Sequence, residues 1–513
     1  MSLIEFYLPP TLARALKIPK KSPRRQQLRV LKKLLKRAMY TEFGKRFNFS
    51  SILYSRHPGK KFQEMVPTFD YNKIYAEWWH KTLEGIPDVC WPKKIKYFAL
   101  SSGTSESASK YIPITTDLIR GNRLGMIKQL ISLRNYDEVN WKNVGKGMLM
   151  LGGSTDLQKG PGYYAGDLSG ITAKKTPFWF NPFYKPGKKI AKERDWNTKL
   201  EQIVQEAPNW DIGFLVGVPA WIQICVEMII DRYKVKDIHE IWPNLQFFVH
   251  GGVAFEPYKK GFEKLLAHPL TYIETYLASE GFIAYQDRPN PDGMRLITNQ
   301  SIFFEFVPFD DSNFDHDGNI IEKPQVFMIH EVEEGKDYAI LLSTTAGAWR
   351  YLIGDTVRFT NKERCEIIIT GRTKHFISLV GEHLSVDNMN KALQLAGEEM
   401  NVGLSEFTVA GVPYNNFFAH HWFIASDDDV NTEELKNKID NALKEINDDY
   451  AVERKSALKE IIVDVLPVHV FMEFMAKRGK IGGQHKFPRV LKGKILEDWQ
   501  QFVLEQKTAQ QPS

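Results

Sequence analysis

The chain has only three cysteines in 513 residues, Cys90, Cys225 and Cys365. They lie too far apart in sequence for a metal-ligand spacing or a disulfide framework, which fits a reducing compartment. No run of about 18 apolar residues occurs, so no membrane span is expected. The N-terminus carries Glu5, Pro9 and Pro10 where a secretory signal has a basic and then an apolar stretch. The expectation is therefore a cytoplasmic protein. Charge of one sign is scarce as well. Lys and Arg number 68 against 62 Asp and Glu, a net of +6, too slight an excess at this length to point to nucleic acid. Internal repeats are not visible. With 43% hydrophobic and 25% charged residues the composition is that of a globular protein, and the length suits about two to four domains.

A Walker A loop is also missing, yet a related pattern is present. A short apolar run, Tyr97 to Leu100, leads into Ser101, Ser102, Gly103, Thr104 and Ser105, and Lys110 and Tyr111 follow. Small residues let a backbone approach an anion, and amide N–H groups and hydroxyls then donate to phosphate oxygens. The second glycine of G-x-x-x-x-G-K-[ST] is lacking. Lys110 is either a loop cation beside a nucleotide or a surface lysine.

From about residue 95 to 285 apolar runs stop at small or polar residues. Met148–Leu151 stops at Gly152 and Gly153, and Phe214–Val218 at Pro219. Leu245–Val249 stops at Gly251 and Gly252, and Thr271–Tyr276 at Ala278, Ser279 and Glu280. This is the βα pattern of a parallel or mixed sheet, whose ligands sit beyond the carboxyl ends of the strands. Residues 301–370 change to short strands at Ile302–Pro308, Gln325–His330, Tyr338–Ser343 and Asp355–Thr360, a small antiparallel sheet or barrel. Residues 385–513 read as a separate α+β unit. Its strands are Phe407–Val412, Trp422–Ala425 and Ile461–Met472, and its helix, capped by Asn431 or Thr432, carries Leu435, Ile439, Leu443 and Ile446. The tail after Lys507 is expected to fray. Residues 24–46 read as a basic amphipathic helix with Leu28, Leu31, Leu35 and Ala38 on one stripe. It is either a packed, solvated helix or a membrane-surface helix. The fold class expected is α/β. A large N-terminal α/β domain, residues 1–380, includes a small antiparallel β-barrel part. A smaller, mobile α+β domain, residues 381–513, follows it.

Further segments recur in order. They are His250-Gly251-Gly252, Tyr276 to Glu280, and Arg350 to Asp355. Gly371 to Lys374 come next, with Gly381-Glu382-His383 close behind, and then Gly482 to Arg489, which holds Lys486. Taken with the Ser101–Ser105 loop, they resemble the adenylate-forming superfamily. More closely, the chain is similar to the acyl-acid amido synthetases of the Gretchen Hagen (auxin-responsive promoter) family, in a bacterial-type form. The similarity runs over nearly the whole length.

That resemblance implies roles position by position. Ser101, Ser102 and Thr104 hold the ATP phosphates, and Ser279 donates to the α-phosphate. Tyr276 stacks near the adenine, against which Gly251 and Gly252 let the backbone lie. Asp355 accepts from the ribose hydroxyls, since one carboxylate can take both protons. Arg372 and His383 contact the nucleotide near the hinge. Glu280 holds Mg²⁺, a hard ion suited to carboxylate and phosphate oxygens. Lys486 arrives on the mobile domain and neutralises charge at the α-phosphate. Two positions depart from the family pattern: Ser107 stands where a glycine is common, and Glu382-His383 where plant relatives have Asp-Lys.

The implied chemistry has two steps. A carboxylic acid is activated by ATP as an acyl-adenylate with release of pyrophosphate. An amine, that of an amino acid, then takes the acyl group and AMP leaves. Segments Tyr163–Thr172 and Phe214–Trp221 are the expected acyl pocket, and residues 372–385 the hinge. The implied partners are ATP, Mg²⁺, a small carboxylic acid and an amino acid or other amine, with neither nucleic acid nor a stable membrane association. The competing readings are an acyl- or aryl-CoA ligase and a non-catalytic nucleotide-binding regulatory protein.

Overall fold

A computed structural model of the chain describes residues 22–101, 110–252, 255–315, 318–373, 384–414, 417–454, 458–479 and 487–509. Its centre is a twelve-stranded mixed sheet. The first half runs through β3 (Gly147–Met150), β6 (Tyr184–Lys185), β7 (Ile212–Gly217), β8 (Phe247–Gly251) and β9 (Thr271–Ala278). These five are parallel, in the order β9-β8-β7-β3-β6. Side chains alternate along them as strand geometry requires. Phe214 and Phe247 enter one core with Ile273. Leu215 and Phe248 enter another, under helices Trp196–Glu206 and Pro219–Tyr233. Both faces are covered, which is why these strands read as near-continuous apolar runs.

At β9 the sheet changes character. The sequence pattern suggests another strand-to-helix stop there, but Ser279 and Glu280 form a two-residue turn into β10 (Gly281–Tyr285), which returns antiparallel. Gly281 takes φ +152° and pairs with Ala278, a backbone shape that glycine adopts without strain. Beyond it come β11 (Met294–Leu296), β12 (Ile302–Pro308), β13 (Phe327–Met328), β14 (Asp337–Thr344), β15 (Tyr351–Asn361) and β16 (Glu366–Arg372). All are antiparallel, in the order β10-β11-β16-β15-β14-β12-β13. The strands expected over residues 301–370 therefore extend the main sheet, and no closed barrel occurs among the described residues. They do curl. β11, β10 and β16 intervene between β9 and β15, which in a flat sheet would separate them by roughly 19 Å. Yet Tyr276 on β9 hydrogen-bonds Asp355 on β15 at 2.6 Å.

A second sheet orders β2 (Lys110–Ile114), β1 (Tyr97–Ser101), β5 (Tyr163–Gly166) and β4 (Gln158–Gly160). The N-terminal basic helix spans Pro23–Ala38, and Thr41 caps a separate short helix, Glu42–Arg46. Its apolar stripe, Leu31, Leu34, Leu35 and Ala38, is fully packed in the core. Gln27 clips it to the sheet, donating to Thr298 O at 2.8 Å and Ile302 O at 3.1 Å and accepting from Phe304 N at 2.7 Å. The packed reading of this helix holds.

The C-terminal unit is a four-stranded sheet, ordered β19 (Leu458–Leu466), β18 (Phe417–Ala425), β17 (Phe407–Tyr414) and β20 (Val490–Leu491). Helices Val386–Met400 and Thr432–Ile446 cover one face, and Val468–Lys477 and Gly493–Ala509 the other. The run from Ile461 to Met472 is not one strand. Pro467 ends β19, and Val470, Phe471, Phe474 and Met475 then line up on a helix face, since proline removes a ladder donor and suits a helix start. Among the described residues no helix is long and apolar enough to cross a membrane.

Candidate active site

The carboxyl ends of β3, β7, β8 and β9 open onto a cavity of about 940 Å³. Its opposite wall is β16, from Ile368 to Arg372, and its rim is closed by Asp387, Asn390, Phe487 and Arg489 of the C-terminal unit. The cavity exists because β11 is too short. It pairs with Ala284 and Tyr285 on one side and with Glu366 and Ile367 on the other. Nearer the Ser279–Glu280 turn no strand among the described residues fills the gap between β10 and β16, and polar side chains gather there.

Four of the predicted residues meet in this gap. The Tyr276 hydroxyl donates to Asp355 Oδ2 at 2.6 Å, and Arg372 Nε reaches Asp355 Oδ1 at 3.0 Å. Asp355 and Arg372 are register partners on β15 and β16, so the ladder itself sets their pairing. Burial, and then the Asp355 charge, hold the Tyr276 phenol well above its usual range. Asp355 beside it raises the basicity of Arg372. Glu280 is 6% exposed. Burial pushes its pKa up to about 7, its own backbone N–H pulls down, the Asp355 charge raises it further, and Lys110 and Arg372 oppose. A carboxyl poised there titrates near neutrality and is ready to exchange its proton for a cation. Among the described residues no group of three His, Cys, Asp or Glu is placed to hold a metal ion. Glu280, a carboxylate with Asp355 near it, is a hard oxygen donor of the kind that suits Mg²⁺ arriving with phosphate oxygens.

Lys110 is the first residue of β2, paired in register with Ser101. Its ammonium lies 5.3 Å from the Tyr71 ring centre, and its field reaches Glu280. It lines the cavity with Leu100. Gly251 ends β8 so close to β9 that an added Cβ would sit 2.1 Å from Thr275 O. Gly252 follows at φ +90°. The backbone by itself therefore favours glycine at both positions. His250 before them is buried against Phe255, burial pulls its pKa down to about 4, and its Nδ1 has no partner. Ser279 also lines the cavity. Ser102, Thr104, His383 and Lys486 lie outside the described residues, as does the side chain of Ser101.

The sequence reading missed three features. Tyr351 is buried beside Glu280, and burial, then that carboxylate, raise its pKa. It sits inside the Arg350–Asp355 segment. Arg350 itself is structural, at φ +42°, with Nε 3.1 Å from the buried Glu305 and Nη1 2.6 Å from Val66 O. Lys199 is buried at the far end of the cavity, donating to Gly152 O at 3.2 Å, with the Asp167 charge opposing the effect of burial. Only a lysine on a helix face of mixed character marked it. Finally, Tyr258 donates to Glu406, whose other oxygen lies 2.5 Å from Arg489. This ties the large domain to the C-terminal unit. Of the expected acyl-pocket segments, Leu168, Ser169, Thr172, Phe214, Val216, Gly217 and Val218 line the cavity, whereas Tyr163, Leu215 and Trp221 do not.

Comparison with known proteins agrees over most of the chain. The GH3 family N-terminal domain matches residues 14–204, the GH3 family central domain residues 295–368, and the GH3 family C-terminal domain residues 387–494. Indole-3-acetic acid-amido synthetase GH3.4 of Arabidopsis thaliana is 22% identical over 91% of this chain and 89% of its own. Jasmonoyl--L-amino acid synthetase GH3.5 of Oryza sativa subsp. japonica is 31% identical over 32% of this chain and 29% of its own. Among solved structures, the GH3.15 acyl acid amido synthetase in complex with 2,4-DB superposes with a TM-score of 0.75 at 18% identity, covering 96% of this chain and 97% of that one. A 2-hydroxyisobutyryl-CoA ligase in the postadenylation state gives 0.60 at 12% identity over 98% and 97%. These likenesses establish a shared fold. With its N-terminal, central and C-terminal domains matched in order, the chain belongs to the GH3 family.

Proposed function

We propose that this protein is a ligase that activates a carboxylic acid with ATP and passes the acyl group to the amine of an amino acid. The observation that carries the reading is the meeting of Tyr276, Glu280, Asp355 and Arg372 beyond the carboxyl ends of the parallel strands, in a chain of the GH3 family. In the first step a carboxylate oxygen attacks the α-phosphorus of ATP, the bond to the β-phosphate breaks, and pyrophosphate leaves. In the second the neutral amine attacks the acyl carbon, the carbon–oxygen bond to AMP breaks, and an amide forms.

The chain's residues divide the work. Asp355 accepts from the ribose hydroxyls, which displace the Tyr276 hydroxyl from it. Gly251 and Gly252 and the Tyr276 ring flank the adenine. Ser101, Ser102, Thr104 and Ser279 donate to phosphate oxygens. Arg372 and Lys110 add positive charge, with His383 and Lys486 brought in by the C-terminal unit. Glu280 would hold Mg²⁺, which when bound offsets charge on the phosphates. The apolar wall built by Met148, Phe214, Val216 and Ile203 suits a hydrophobic acid. Residues 1–380 and 381–513 act as two domains with a hinge near 372–385, a division supported by their separate cores. The cytoplasmic reading rests on three free, buried, mutually distant thiols.

The test is ATP–pyrophosphate exchange with a broad panel of carboxylic acids. Exchange with at least one acid is expected. ATP binding without exchange on any acid would leave a nucleotide-binding regulatory protein. Amino acids or CoA added to an active pair, with the product identified by mass, then separate amide from thioester. An amide is expected.

A further inference from the structure

One segment beside the cavity turns an outer face that plays no part in the site. Residues 174–194 hold seven Lys or Arg and one acid. Their net of +6 equals the formal excess of the entire chain. Within them three large aromatic side chains face outward: Phe178 is 83% exposed, Trp179 60% and Phe183 40%. Phe178 and Trp179 sit on a single 3₁₀ turn, Phe178–Phe180, and the Phe180 and Phe183 rings lie 6.1 Å apart. Lys188, Lys189 and Lys192 are exposed close behind, and they enter none of the ion pairs of the described residues. Arg194, by contrast, is engaged by Asp156 at 2.9 Å.

We propose that Phe178, Trp179 and Phe183, with Lys188, Lys189 and Lys192, form a surface that docks reversibly on an anionic lipid bilayer. Aromatic rings seat at the headgroup level, and lysines extend their ammonium groups to lipid phosphates while their stems stay with the rings. A contiguous apolar patch of this kind marks an interaction site, and its charge decides the occupant. A second copy of the chain meeting this face symmetrically would set +6 against +6, and protein interfaces are poor in lysine. A single-stranded nucleic acid would share the charge preference, but it is recognised mainly through arginine and stacked rings lining a groove. Here the rings are exposed on and just after a 3₁₀ turn, and the exposed cations outside the ion pairs of the described residues are lysines.

The inner side of the same segment gives the surface its purpose. Tyr184, Pro186 and Ala191 line the cavity, so docking would set the acyl end of the cavity beside the bilayer. A hydrophobic acid dissolved in the membrane would then reach the site without crossing water. This use rests on the function proposed above. The docking itself does not, and it is measured without turnover.

The experiment is co-sedimentation of the full chain with vesicles of phosphatidylcholine alone or mixed with phosphatidylglycerol. Binding to the mixed vesicles is expected to be at least about tenfold tighter and to weaken as salt screens the charge. It should be lost in Phe178→Ser/Trp179→Ser/Phe183→Ser and reduced in Lys188→Glu/Lys189→Glu/Lys192→Glu, with circular dichroism and exchange on a short soluble acid unchanged. No vesicle binding by the folded wild-type chain overturns the proposal. So does equal binding to both vesicles, a dimer that the aromatic variant dissolves, or binding to a single-stranded oligonucleotide in place of vesicles.

Discussion

The hydroxyl of Tyr276 donates to the carboxylate of Asp355 at 2.6 Å, across 79 residues of sequence and three intervening strands. This bond records the curl of the sheet and brings the adenine-side and ribose-side groups of the proposed site together. Each end makes a different prediction. Tyr276→Phe loses one charge-assisted hydrogen bond and leaves Arg372 on Asp355, so stability should fall by about 1.5–3 kcal/mol in chemical denaturation, while exchange stays within about tenfold. Asp355→Ala removes the proposed ribose acceptor. Exchange should drop by about 10–150-fold at limiting ATP, the rate equivalent of that hydrogen-bond energy, with the fold intact by circular dichroism. Near-normal exchange in Asp355→Ala would falsify the assignment.

Glu280 predicts a stability that depends on pH in an unusual direction. Its carboxyl is raised from the ordinary 4.5 to about 7 in the folded chain, chiefly by burial. Between these values the folded state binds more protons than the unfolded one, so this group's contribution to stability falls as pH rises through the window. Glu280→Gln removes the titration. The variant should match wild type near pH 4 and exceed it at pH 8 by up to about 3 kcal/mol in the absence of nucleotide, while losing exchange. A variant less stable than wild type at pH 8 would show that the buried carboxylate is not strained.

Much of this site was legible in the sequence, because a ligand-facing strand end announces itself by small residues after an apolar run. The stops at Gly152 and Gly251 fall at the cavity, and Val218 lines it just before the stop at Pro219. What was not legible is how strands pair. Ser279 and Glu280 look the same before a helix as in a hairpin turn, and only the partner of Gly281 decides. The barrel expectation failed for a similar reason. Antiparallel strands were visible at 301–370, but nothing local says whether they close on themselves or extend another sheet. Lys199 and the Tyr258–Glu406–Arg489 contact are products of tertiary packing between distant segments, and no local pattern marks them.

Gly251 separates a backbone role from a ligand role. An added Cβ would meet Thr275 O at 2.1 Å, and that oxygen belongs to the neighbouring strand, which is held on its other side by β10. Gly251→Ala should therefore cost about 1–3 kcal/mol by overpacking, read as a shift in denaturation midpoint without any ligand. Gly145→Ala is the control, since its nearest contact would be an ordinary 3.7 Å. A change within about 0.5 kcal/mol is expected there. Equal effects at both positions would mean that the close approach of β8 and β9 relaxes freely.

The contact between domains gives the last prediction. Glu406 takes hydrogen bonds from Tyr258 of the large domain and from Arg489 of the C-terminal unit. Arg489 also donates to Phe407 O at 3.0 Å and lies 4.4 Å above the Phe407 ring. Its partner group is therefore fixed to β17, and Tyr258 is the hand that reaches across. Tyr258→Phe should leave the Glu406–Arg489 pair whole and loosen only the seating of the two domains. Arg489→Leu leaves a half-buried carboxylate without its cation and should weaken the C-terminal unit by about 2–4 kcal/mol. The two variants are distinguished by small-angle scattering and thermal unfolding together. Tyr258→Phe should enlarge the radius of gyration with little change in melting, and Arg489→Leu should lower the melting temperature. If Tyr258→Phe leaves both the scattering and the amide-forming step unchanged, the tie between Tyr258 and Glu406 does not set the arrangement of the domains.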